Sequence, residues 1–177
     1  MTSYARIFEE AIENHGLVTT SMARGMGIAP GTLVDLAYRG RLTRIGQGVY
    51  QLVQYAPDER APYAQAVALV GEGAFLYGES VVAMLGLAPT DPDRIYVATA
   101  KRVRRNLGDG IVVRRVGPEC RPVAIEGVPC QKLVDAIRCA RETMPVERLR
   151  GACAEAVRTG RIGENEGRRL RNEFRER

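Results

Sequence analysis

Three arginines lie close together in the first third of the chain, at Arg39, Arg41 and Arg44. A guanidinium group presents a planar fork of donors that matches a phosphate, so this cluster favours contact with a nucleic-acid backbone. The whole chain carries 26 Lys and Arg against 21 Asp and Glu, and all but two of its Lys and Arg residues are arginines. A G+C-rich genome, which favours Arg codons, explains the arginine bias equally well.

Two short helical patterns precede these arginines. Thr19 or Thr20 is a suitable N-cap for the first helix, and Gly25 and Gly27 end that helix and permit a tight turn. Pro30 suits the first turn of a second helix, where its missing N–H costs nothing. This order of helix, turn and helix is that of a helix-turn-helix, in which the second helix lies in the major groove of DNA.

The second predicted helix is amphipathic. Leu33, Leu36 and Ala37 recur at helical spacing and are predicted to be buried. Early residues of a recognition helix reach base edges in the major groove. The opposite face is therefore predicted to contact DNA, and it comprises Gly31, Thr32, Asp35 and Arg39.

A β-hairpin is predicted after Gly40. Residues 42–45 form a β-prone run, Gly46-Gln47-Gly48 turns the chain, and residues 49–53 alternate as a strand does. This hairpin would be the wing of a winged helix-turn-helix, with its arginines over the phosphate backbone. The predicted DNA contacts of this domain are Thr19, Thr20, Gly31, Thr32, Asp35, Arg39, Arg41, Arg44 and Gln47.

The segment 54–62 is polar and contains Pro57 and Pro62, which indicates a linker. The 177 residues suffice for one good core or two small ones. The predicted fold class is α+β, with a winged helix-turn-helix over residues 1–56 followed by a small mixed α/β domain over residues 60–177.

The densest charge cluster lies in the second predicted domain, between strands expected over residues 95–100 and 111–116. We expect these strands to form a short hairpin that carries six cations. A solvated hairpin tip is the simplest interpretation. Repulsion among the cations would be relieved by a polyanion, which favours an accessory surface for nucleic acid or an acidic partner. The predicted contact residues of this surface are Lys101, Arg102, Arg104 and Arg105, and Arg114 and Arg115 of the second strand are the other two cations.

Motifs for enzymatic chemistry are missing from the sequence. It contains neither a Walker-type phosphate loop nor a G-x-S-x-G elbow, and His15 is its single histidine. The cysteines show no C-x-x-C spacing, and neither Lys101 nor Lys132 follows the acidic residues of a restriction-type nuclease. We therefore expect no catalytic residues, no metal and no cofactor.

The sequence also lacks the pattern of a membrane protein. No apolar run approaches the roughly 18 residues of a transmembrane helix, and the N-terminus lacks the layout of a signal peptide. A cytoplasmic protein without membrane contact is expected.

Three segments of the first domain resemble the N-terminal winged-helix domain of AbiEi-family antitoxins: GLVTTSMA, LVDLAYRGRLTRI and GQGVYQL. These antitoxins are the repressor halves of type IV abortive-infection toxin-antitoxin operons. Later segments, LYGESVVAMLGL, DRIYVAT and VPCQKLVDAI, are similar to the looser pattern of the family's second domain. Similar layouts also resemble winged-helix proteins with a nuclease-like C-terminal half.

The resemblance implies a non-enzymatic antitoxin that binds double-stranded DNA and represses its own toxin-antitoxin operon. It further implies a nucleotidyltransferase toxin as partner. If the second domain places two winged domains on paired sites, we expect operator repeats upstream of the gene and a chain that is monomeric in solution or assembles cooperatively on DNA. The alternative is a winged-helix transcription factor whose C-terminal domain senses a ligand or a protein. An enzyme is the third interpretation.

Overall fold

The computed structural model describes residues 2–90 and 92–175. The chain divides into two compact units, and both contain helices and a sheet, so the α+β fold class is confirmed. Unit 1 comprises Met1–Glu72 with Glu126–Val128, and unit 2 comprises Gly73–Ile125 with Pro129–Arg177. The sequence predicted a domain boundary at residues 56–60, whereas the structure assigns the following helix, Ala61–Val70, to unit 1.

Unit 1 has the element order of a winged helix-turn-helix, followed by one further helix. Its three strands form an antiparallel sheet in the order β1-β3-β2. The elements are α1 (Ser3–Glu13), β1 (Leu17–Thr19), α2 (Thr20–Gly25), α3 (Pro30–Tyr38), β2 (Leu42–Gly46), β3 (Val49–Leu52) and α4 (Ala61–Val70).

The helices of unit 1 begin where local chemistry dictates. The Thr19 hydroxyl accepts a hydrogen bond from the backbone N–H of Met22, which caps α2. Pro30 occupies the first turn of α3, as predicted. The three helices α1 to α3 and the sheet enclose one apolar core, whose fully buried members include Ile7 and Leu33. Burial of these side chains holds α3 against the rest of the unit.

The helix α4 covers part of the wing. Gly46 ends β2, and a Cβ atom built at this glycine would overlap the Leu69 side chain of α4. The leucine therefore takes the space that any larger residue at position 46 would need. The wing and α4 consequently share one packed surface inside unit 1.

Unit 2 contains a five-stranded mixed sheet in the order β6-β5-β4-β8-β7. The elements are β4 (Phe75–Leu76), α5 (Glu79–Met84), β5 (Ile95–Thr99), β6 (Ile111–Arg115), β7 (Val123–Ile125), β8 (Val128–Cys130), α6 (Leu133–Cys139), a 3-10 turn (Ala140–Glu142), α7 (Val146–Arg158) and α8 (Glu164–Glu173). Leu170 of α8 and Phe174, which follows the last residue of that helix, are both buried.

The prediction that a hairpin carries the cationic cluster is wrong, because β5 and β6 pair in parallel. Ile95 is the partner of Ile111, and Thr99 is the partner of Arg115. Residues 100–110 therefore form a crossover that brings the chain back to the start of the neighbouring strand. Apolar alternation along a strand does not reveal its direction relative to its neighbour, so the sequence pattern did not distinguish the two pairings.

The cysteines are free thiols that differ in exposure. Cys130 and Cys153 are buried, Cys139 is half-buried and Cys120 is exposed. Burial raises the pKa of the Cys130 thiol to about 12 and that of Cys153 to about 11. Both buried thiols therefore stay protonated at neutral pH and act as small apolar groups. Among the helices of the described residues, none combines the length and the apolar content needed to cross a bilayer.

Candidate nucleic-acid interface

Packing around the α2–α3 turn fixes the orientation of α3. Gly27 has a φ of +71°, and the Ile28 N–H donates to the Ala23 carbonyl at 2.8 Å, which closes the turn. The Ile28 side chain is buried below the turn, and Leu33 and Leu36 of α3 are buried as predicted. One face of α3 is thus held by the core and the other is left to solvent.

The solvent-facing side of α3 differs from the face expected from the sequence. Gly31 and Asp35 are exposed there, whereas Thr32 is half-buried and Arg39 follows the last helical residue as the C-cap. Two side chains that the sequence analysis did not select complete this face. Val34 is 56% exposed and Tyr38 is 94% exposed.

Helical spacing would have identified both residues. Gly31, Val34, Asp35 and Tyr38 lie at i, i+3, i+4 and i+7, which places them in one stripe along the helix. Val34 and Tyr38 were not predicted at this site because an apolar or aromatic residue in a helix is by default assigned to the core. These four residues form the α3 stripe.

The arginine cluster flanks the α3 stripe in the chain, and all three of its members are exposed. The Arg41 guanidinium lies 5.7 Å from the centre of the Tyr4 ring, and the Arg44 Nε donates to the Gly46 carbonyl at 3.2 Å. These contacts restrict the two side chains without neutralising them. Within residues 2–90 and 92–175, no carboxylate lies at ion-pair distance from Arg39, Arg41 or Arg44.

The remaining predicted contacts of unit 1 lie at the start of α2 and on the wing. Gln47 is exposed in the wing turn. Thr19 and Thr20 are half-buried, and besides the cap made by Thr19, the Thr20 N–H donates to the Gly48 carbonyl at 2.9 Å. The Thr19 side chain therefore has a structural role as the cap of α2, and the backbone at Thr20 ties the beginning of α2 to the wing.

A second basic surface lies in unit 2, on the crossover between β5 and β6. The crossover and β6 line a cavity of about 380 Å³. Its apolar lining includes Val103, Leu107 and Ile111, and its cations are Lys101, Arg102, Arg105 and Arg115. Arg104, the fourth predicted cation of the cluster, is exposed on the same crossover but is absent from this lining.

The register of β6 explains why Arg115 joins this surface and its neighbour Arg114 does not. Successive side chains of a strand point to opposite faces. The Arg114 guanidinium lies 5.9 Å from the centre of the Tyr96 ring and 3.5 Å from the Glu142 carboxylate. The cavity and its four lining cations form the crossover groove.

The structure thus separates the predicted site residues into two groups. The residues of α2, α3 and the wing belong to unit 1, and the cationic cluster belongs to unit 2. Among the described residues, no group of three or more His, Cys, Asp and Glu side chains is arranged to hold a metal ion.

Comparison with known proteins supports a regulatory domain. Residues 5–53 match the family model described as "Transcriptional regulator, AbiEi antitoxin". No curated protein matches the chain. The crystal structure of RV2827C protein from Mycobacterium tuberculosis is similar over 97% of this chain and 81% of that chain, with 17% sequence identity and a TM-score of 0.41. The resemblance to AbiEi antitoxin regulators is therefore confirmed over residues 5–53, which extend from α1 through the wing.

Proposed function

We propose that the chain is a transcriptional regulator that inserts α3 into the major groove of double-stranded DNA. One observation carries this proposal. The α3 stripe is exposed beside three arginines without carboxylate partners, inside the segment that matches a family of transcriptional regulators. In a helix-turn-helix, a second helix in this position reads base edges while neighbouring cations contact phosphates.

The proposal assigns a role to each part of unit 1. Arg39, Arg41 and Arg44 contact phosphates on either side of the groove, and Gln47 at the wing turn contacts the adjacent backbone. Gly31, Thr32 and Asp35 face the base edges. Thr19 and Thr20 lie at the start of α2, which is the helix that crosses the backbone in this motif.

The first test measures how salt affects binding. Arg44→Ala should weaken binding to every duplex and reduce the slope of log affinity against log salt by about one, because one phosphate contact and its released counterion are lost. Affinities of the full chain are measured by fluorescence anisotropy across a salt series. Arg158→Ala is the matched control, since Arg158 is an exposed arginine of unit 2 that is paired with Glu155. Equal slopes for Arg44→Ala and the wild type would contradict the assignment.

We further propose that the chain represses its own operon. Monomers would assemble cooperatively on an inverted or direct repeat upstream of the gene, with one copy of unit 1 on each half-site. We expect a duplex carrying both repeats to bind two chains with a Hill coefficient above one, and a duplex with one scrambled repeat to bind one chain more weakly. Independent binding to each repeat would refute cooperative assembly.

The partner in this proposal is a nucleotidyltransferase toxin encoded by the neighbouring gene. Co-expression of the full chain should restore growth of cells that express this toxin. A variant in which Arg39, Arg41 and Arg44 are all replaced by alanine distinguishes two routes to rescue. Rescue without DNA binding indicates direct neutralisation of the toxin, and loss of rescue indicates that rescue requires repression through DNA binding.

The crossover groove favours a second candidate function. Its cations and apolar lining fit a small anionic ligand with an apolar part, so unit 2 would be a sensor that controls DNA binding. A harmless neighbouring gene product, together with operator binding by the full chain, would favour this regulator over the antitoxin.

A further inference from the structure

The α3 stripe contains no cation. Its four members are one glycine, one aliphatic residue, one carboxylate and one aromatic residue, although arginines are available directly after the helix. Guanine, which arginine and lysine read through O6 and N7, is therefore not the base that this stripe is built to recognise. The composition of the stripe points to other base edges.

Gly31 leaves the first turn of the stripe open for close approach. A Cβ atom built on this residue would have no heavy atom within 4 Å, so packing inside the protein does not require glycine here. Glycine in a helix is less stable than alanine by roughly 0.5–1 kcal/mol. Glycine at this place therefore lowers the stability of the helix, and the missing side chain lets another molecule approach the backbone closely.

Val34 has no polar atom and is 56% exposed. In the major groove, the Val34 side chain stabilises the complex only where it contacts an apolar group. The C5-methyl group of thymine is the apolar group that the four base pairs present there.

Asp35 lies next to Val34 and is exposed, and no cation of the described residues pairs with its carboxylate. Phosphates repel a carboxylate, so within a DNA interface it must face a donor on a base edge. The amino group at N4 of cytosine is the donor that Asp and Glu accept from in the major groove.

Duplex DNA fits this surface better than a second copy of the chain or another protein. The arginines at positions 39, 41 and 44 give the surroundings of the stripe a positive charge that complements phosphates. An exposed carboxylate followed in the chain by exposed arginines suits DNA, where amino donors of the bases lie in the groove and phosphates lie at its rims.

We infer that the α3 stripe reads thymine through contact of Val34 with its methyl group and cytosine through acceptance by Asp35 from its amino group. Each half-site then contains a thymine and a cytosine within the base pairs that α3 covers. This inference rests on the proposed DNA-binding function and specifies the sequence class that the function selects.

The test removes single methyl groups from the DNA. Duplexes are selected by the full chain from a randomised 20-base-pair pool, and each thymine of a selected duplex is then replaced by deoxyuridine. The wild type should lose about fourfold in affinity at one thymine per half-site, the value for one buried methyl group. Val34→Ala should bind the thymine and deoxyuridine duplexes equally. Ile12→Ala, which alters another exposed aliphatic side chain on α1, should keep the wild-type sensitivity.

A second variant tests the other half of the inference. Asp35→Asn should change the selected base from cytosine towards adenine by about tenfold, since asparagine pairs with the N6 and N7 edge of adenine. Both variants alter exposed side chains, so thermal unfolding should match that of the wild type.

The possible outcomes separate the inference from the function on which it rests. Wild-type affinity that is insensitive to deoxyuridine at every thymine, or retained sensitivity in Val34→Ala, overturns the thymine contact. Loss of self-association or of toxin binding in Val34→Ala, with DNA binding unchanged, overturns it in favour of a protein partner. Failure of the full chain to select any duplex from the pool refutes the proposed function itself.

Discussion

Gly16→Ala is expected to destabilise unit 1 by about 2–5 kcal/mol, the sum of a left-handed backbone penalty and overpacking. Gly16 has a φ of +74°, which L side chains rarely adopt. A Cβ atom there would also overlap the Tyr55 ring and lie 2.5 Å from the Gln51 Nε2. Urea denaturation followed by circular dichroism measures the change, and DNA binding should fall in proportion to the unfolded fraction.

Gly31→Ala is the matched control for this prediction. Because its Cβ would face open space, the substitution should leave the fold intact and stabilise α3 by up to about 1 kcal/mol. Its methyl group would nevertheless lie on the α3 stripe and weaken DNA binding. Wild-type stability of Gly16→Ala would show that residues around Gly16 are packed differently. Unchanged DNA binding by Gly31→Ala would contradict a close approach of DNA to the first turn of α3.

Charge reversal on the crossover should strongly weaken DNA binding. If the cationic cluster of unit 2 is an accessory DNA surface, replacing Lys101, Arg102, Arg104 and Arg105 by glutamate should weaken operator binding on the order of 100-fold at low salt. The loss should shrink as salt rises, because screening weakens both attraction and repulsion. Operator affinity of the full chain is measured at several salt concentrations.

A variant with the same net charge provides the control. Reversal of four other exposed cations of unit 2 gives an equal change in total charge at a different place, and suitable residues are Lys132, Arg141, Arg148 and Arg168. An equal loss in both variants would show that net charge alone acts. Unchanged binding by the first variant, with the fold intact, would leave the crossover as a solvated segment, a ligand site or a surface for a protein partner.

The helix-turn-helix could be predicted because its signals are local. A capping threonine, a proline in the first turn and a glycine with positive φ each act within a few residues, and all three lie where the sequence placed them. The strand Leu17–Thr19 could not be predicted in the same way. It contains three residues and exists because it pairs with β3, which lies at least 30 residues later in the chain.

The candidate site was only partly predictable for a related reason. Charged residues such as Arg44 are assigned to the surface by their chemistry alone, and the structure places Arg44 there. An exposed Val34 or Tyr38 contradicts the usual preference of apolar side chains for the core, so residue type alone does not identify either one, whereas their helical spacing from Gly31 and Asp35 does. The parallel pairing of β5 and β6 depends on contacts across the sheet and left no trace in the pattern of either strand.

The position of Leu69 over Gly46 has a consequence for how this domain is transferred between proteins. The family match ends at residue 53, before the helix that carries this leucine begins. A gene fusion that took residues 5–53 alone would leave an apolar gap on the wing open to water. A host protein would then have to fill that gap with a side chain of its own, because the packed winged unit of this chain is longer than the segment that matches the family model.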